Sequence, residues 1–161
     1  MSRPPLADDA RGFGSVVGIA LLVLVAVLAA SVVGAATLSA TPDAAPPQVA
    51  LAVSADAGAD RIALTHRGGD ALSVGRLRVV VHVDGERLAH QPPVPFFAAR
   101  GFESGPTGPF NVADDGRWQA GETAAVRLAG TNSHRLSAGT RVRVVVYHGA
   151  YELATVTTRA A

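Results

Sequence analysis

Two hydropathy patterns divide the chain. From Gly12 to Thr41 no residue is charged, and Phe13 to Leu38 is a run of 26 apolar and small side chains. From Val49 onward apolar and polar positions alternate, the period-two pattern of strands that bury one face. Between the two lies "TPDAAPPQ", Thr41 to Gln48, where Pro42, Pro46 and Pro47 stop a helix and favour a stiff, extended linker.

The apolar run predicts a helix over residues 13–40. At 1.5 Å per residue its 26 core positions would span roughly 39 Å, more than the ~30 Å hydrocarbon thickness of a bilayer. The expectation is therefore a transmembrane helix. A cleaved secretory signal has an apolar region of only about 7–15 residues, so this run is too long for one. Arg3 and Arg11 precede it. Asp8 and Asp9 offset them in charge but contribute little to orientation, so the leader is expected on the cytoplasmic side and the remainder outside.

The alternating part reads as strands joined by turns. "QVALAVSA" is the first. "DRIALTHRGGDAL" gives a second strand from Arg61 to His66 and a turn at Gly68-Gly69-Asp70. In "RLRVVVHVDGERLAH" Leu77, Val79, Val81 and Val83 point one way and Arg78, Val80 and His82 the other, and Asp84-Gly85 is a two-residue hairpin turn. "GETAAVRLAG" is another strand. "GTRVRVVVYHGAYELATVTTRA" is a closing hairpin that turns at His148-Gly149-Ala150. About seven short strands without helical periodicity predict an antiparallel, Ig-like β-sandwich. The expected fold is thus mainly β: an N-terminal transmembrane α-helix carrying a β-sandwich head, shaped like a lollipop. The stretch from Gln91 to Gly121 holds five prolines and little periodicity. It reads as a long loop that either makes head-to-head contacts or faces solvent.

Composition narrows the chemistry. All 14 basic residues are Arg, the net charge is +1, and the arginines are scattered without interleaved aromatics, so nucleic acid is not an expected partner. There is no Cys, which excludes disulfides, thiolate metal sites and a cysteine nucleophile. His66, His82, His90, His134 and His148 show no metal-ligand spacing. Asp114 and Asp115 are adjacent, where a calcium loop needs alternating acids, so "NVADDGRW" reads as a turn. Ser73, Ser104, Ser133 and Ser137 lack a nucleophile-elbow context. Trp118, the single Trp, is expected to fill the core. No catalytic residue, metal site or cofactor is expected, and the protein reads as a non-enzyme.

The junction before the apolar run is more specific. "MSRPPLADDARG" ends in Arg11-Gly12 directly against Phe13, a charged and then a small residue before an unbroken apolar stretch. Gly12 lets the backbone extend into a peptidase site. "RGFGSVVGIALLVLVAVLAASVVGA" resembles the N-terminus of archaeal type IV pilins, especially the pilin-like proteins of halophiles with class III signal peptides. Phe13, Gly14, Ser15, Val16, Val17 and Gly18 fall on that pattern. Gly14 stands where Ser is usual, Ser15 where Pro is usual, and Val17 where many bacterial pilins carry Glu. "THRGGDAL" resembles a strand-and-glycine-turn element in the heads of such proteins.

The resemblance implies cleavage by a prepilin peptidase between Gly12 and Phe13, with Arg11 part of the recognised junction. It implies assembly with other pilin subunits, through pilus assembly machinery, into a type IV pilus-like adhesion filament, after residence in membrane lipid. The domains would be a cytoplasmic leader (1–12), the transmembrane and assembly helix (13–40), the linker (41–48) and an extracellular β-sandwich head (49–161). Gly14, Gly18, Ala26, Ala30 and Gly34 recur at four-residue steps, interrupted at Leu22, and small residues at that spacing let helices pack closely. The alternative is a monomeric, N-terminally membrane-anchored extracellular binding module that uses the 91–121 loop.

Overall fold

A computed structural model of the chain describes residues 16–28 and 45–161. The chain divides into two compact units, residues 1–45 and 46–161. In the first, residues 16–28 form an α-helix. Its 13 described residues rise about 20 Å, against the ~30 Å thickness of a bilayer's hydrocarbon core. Among the described residues no helix is long and apolar enough to span a membrane. The expectation of a transmembrane helix over residues 13–40 is corrected accordingly. The single-pass placement, the outward-facing head and the lollipop shape that depended on that helix are withdrawn with it.

The second unit is built of antiparallel strands. One sheet has the order β1 (Val49–Asp56), β2 (Arg61–Gly69), β7 (Thr123–Arg127). The other has the order β5 (Glu86–Arg87), β4 (Leu77–Val83), β8 (Arg141–His148), β9 (Tyr151–Arg159). A short pair, β3 (Leu72–Ser73) and β6 (Arg117–Trp118), sits apart from both.

Alternation explains which faces meet. Leu77, Val79, Val81 and Val83 of β4 and Val142, Val144 and Val146 of β8 are buried in one core with Ile62 and Leu64 of β2 and Ala124 and Val126 of β7. The period-two reading of β4 therefore identifies its inward face. Asp84-Gly85 makes the β4–β5 turn with both φ angles positive, 51° and 91°, as a hairpin turn matched to strand twist requires. The chain end is tied to the first strand: Ala57 N–H donates to Ala161 O at 2.9 Å and Ala161 N–H to Ala55 O at 3.0 Å.

Two details differ from the expectation. β2 continues through Gly68-Gly69, with a bulge opposite Ala50 and Leu51, so the turn begins only at Asp70. A Cβ on Gly69, at φ +103°, would collide with Gln48 O, which explains a glycine inside a strand. The 91–121 stretch is also woven into the core. Phe96, Phe102, Phe110 and Trp118 are buried, and Thr107 bridges Ala125 at the free edge of β7. Trp118 is fully buried and meets the Phe110 ring edge-on at 5.3 Å.

Candidate functional site

The expected assembly residues fall partly on the described helix. Gly18 and Ala26 lie within it. Arg11, Gly12, Phe13, Gly14, Ala30 and Gly34 lie outside the described residues. Helix 16–28 is apolar at every position and exposed at every position. Its large side chains, from Val16 and Ile19 through Leu22 and Leu28, are 57–72% exposed all the way round. A stable helix in water normally shows a polar stripe, and one that is apolar all round is buried in its working state. At Gly18 an added Cβ would meet nothing within 4 Å, so the space beside it is open.

The second unit offers little reactive machinery. Its buried polar side chain is His66. The ring Nε2 lies 2.9 Å from Asp70 O, so Nε2 carries the proton, because a carbonyl only accepts. The Nδ1 atom is left without a hydrogen-bond partner. His66 also meets the Trp118 ring edge-on at 5.8 Å. Glu122 O receives both His66 N–H at 2.9 Å and Trp118 Nε1–H at 3.2 Å, so the histidine and the tryptophan share one anchor. This is a packed polar contact in the core. Among the described residues no three His, Asp or Glu side chains gather as metal ligands.

One constellation escaped the sequence reading. Ser133 Oγ lies 3.0 Å from His134 Nδ1, and His134 Nε2 lies 3.2 Å from Glu86 Oε2. The order serine, histidine, carboxylate is that of a hydrolytic relay. Glu86 and Ser133 are exposed, and Ser133 Oγ also accepts the Ala89 N–H at 3.0 Å. Nothing at this surface excludes water, so the field that makes such a relay effective is missing. The group instead ties the β5 turn to the loop before β8. Its one signal in the sequence was the adjacent Ser-His pair.

Asp60 is held by a backbone N–H and an arginine together. Burial alone would raise its pKa. The Leu136 N–H at 2.7 Å, the Arg135 hydrogen bond and the charges of Arg135 and Arg127 outweigh burial and hold it below the usual aspartate value. Its role is structural: it pins the β1–β2 turn to the segment entering β8.

No family model matches the chain. It is 33% identical over 76 residues to a protein of Archaeoglobus fulgidus that carries only the description uncharacterized. The match takes in 46% of this chain and 54% of that protein, so the chain spans about half the length of its curated relative.

Proposed function

We propose that the protein is a structural subunit of a pilus-like filament, assembled through its N-terminal apolar segment after cleavage between Gly12 and Phe13. The observation that carries this reading is helix 16–28, apolar and exposed on every side. Burying a Val, Leu or Ile side chain stabilises by roughly 1.5–3 kcal/mol, so ten such exposed side chains are a large driving force for association. Second copies of the same helix are the partner that fits: small residues at Gly18 and Ala26 allow close approach, and no charge in the segment opposes it. The Arg11-Gly12-Phe13 junction and the resemblance to archaeal pilins supply the processing step.

The chain has no Cys, so single cysteines report contacts cleanly. Gly18→Cys and Ala26→Cys should each give inter-chain disulfides on mild oxidation, whereas a cysteine at exposed Ala120 should not. Cross-linking at Ala120 equal to that at Gly18 would show non-specific association and sink the proposal.

A further inference from the structure

The outer face of the four-stranded sheet concentrates cations toward the end that holds Arg141 and Arg143; at the other end Arg78 lies over the Tyr147 ring, and Tyr147 stands opposite Glu152. Arg87, His82, Arg143 and Thr157 stand in one row across β5, β4, β8 and β9, each opposite the next. In the neighbouring row Arg141 stands directly opposite Arg159. Like charges facing each other across strands are destabilising. Yet the ion pairs among the described residues join only Arg135 to Asp60 and His134 to Glu86. Arg159 spends one donor on Gly139 O at 2.9 Å. The buried His82 Nδ1 has no hydrogen-bond partner.

Three of these arginines converge on a cavity. A cleft of about 710 Å³ is lined by Arg141, Arg143 and Arg159, with Thr157, Gly85 and Asp84. Asp84 is its single carboxylate. One of that carboxylate's oxygens is committed to the Arg141 N–H at 2.8 Å, which closes the β4–β5 turn against β8. Three guanidiniums against one carboxylate leave the cleft positive.

We propose that this cleft is a binding site for a multiply charged oxyanion of the oligophosphate class. A guanidinium presents a planar fork that matches phosphate oxygens. A phosphoryl group brings more charge and more acceptor atoms than a single carboxylate, so it uses more of the donors the three arginines offer. Arg141 and Arg143 are two positions apart on one strand face, about 7 Å, so two charged groups of one chain-like ligand are held at once. Binding would relieve the cross-strand repulsion between Arg141 and Arg159. The inference is independent of filament assembly.

The test is calorimetric titration of the full chain with inorganic tripolyphosphate at low salt, alongside thermal melting with and without the anion. The intact protein should bind and melt higher with tripolyphosphate. R141Q and R143Q should each weaken binding at least tenfold and lose the melting shift, while R100Q, away from the cleft, should behave as the parent. Without ligand, R141Q should melt no lower than the parent, since it removes a like-charge pair. That result separates a binding defect from misfolding. Absence of binding by the parent, or equal binding by R143Q and R100Q, would overturn the proposal.

Discussion

Arg135 closes on a single oxygen of Asp60, with its Nε at 2.9 Å and its Nη2 at 2.8 Å from Oδ2, leaving Oδ1 to the Leu136 N–H. The carboxylate is mostly sheltered while the guanidinium is largely exposed. The two partners should therefore respond differently to truncation. D60A removes an acceptor from a buried backbone N–H and puts Ala at φ 48°, so it should cost about 2–3 kcal/mol. R135A removes only an exposed partner and should cost about 1 kcal/mol or less. Denaturant unfolding of the two variants checks the ordering.

Acid should reveal the same contact. The folded-state pKa of Asp60 lies below 3.8, so the unfolded chain binds the proton more readily. Its contribution to stability is present above the unfolded value and is lost as pH falls through the folded one. D60N should flatten the stability profile in that acid range relative to the parent.

His82 should act in the neighbouring window. Burial first, then the charges of Arg143 and Arg87, push its pKa below 6.5. The unfolded chain therefore takes up a proton between the folded pKa and 6.5 while the folded protein does not. Stability should rise with pH through that range and fall as pH drops below 6.5. H82Q should remove this slope, as unfolding measured at closely spaced pH values would show.

Gln91 replaces a missing strand. Its side-chain Oε1 accepts the Val81 N–H at 2.7 Å and its Nε2 donates to Val81 O at 3.1 Å, where β5 no longer borders β4. Q91L would leave the Val81 N–H without its partner, while Val81 O keeps the Leu88 N–H at 3.1 Å, and should cost about 1–3 kcal/mol. Hydrogen exchange at Val81 should speed up well beyond that at Val144 on the neighbouring strand.

Gly18 is the sharpest probe of assembly. An added Cβ there meets nothing within 4 Å, so G18L should leave the β-rich unit's melting unchanged. It should nevertheless block close helix approach and reduce sedimentable assemblies several-fold.

How much of this was legible in the sequence depended on period. In β4 and β8 the inward positions from Leu77 to Val83 and from Val142 to Val146 are all valine or leucine, while the outward ones carry Arg78, His82, Arg141, Arg143 and Tyr147 as well as Val80 and Val145, so the inward face could be read despite three consecutive valines in each strand. Asp84-Gly85 could be placed because two consecutive positive φ angles demand such residues. The 91–121 stretch could not be read as core, because Phe96, Phe102, Phe110 and Trp118 follow no period and their burial depends on long-range bridges such as Thr107 to Ala125. The need for glycine at position 69 depended on Gln48 pressing from another segment, and the bulge at Arg67 on a register that only the folded sheet defines. The arginine cleft was half visible. Arg78 and His82 were assigned to the outward face of β4, but Arg141 opposite Arg159 follows from a register that only the folded sheet defines. The transmembrane reading counted apolar residues, whereas among the described residues no helix is long and apolar enough to span a membrane.

The most direct measurement is the N-terminal residue of the protein in high-mass filament fractions sheared from its native host. A chain beginning at Phe13 in those fractions is the predicted result. A chain beginning at Met1, or one beginning near Ala36 with the apolar segment removed, would contradict assembly through that segment after cleavage at Gly12.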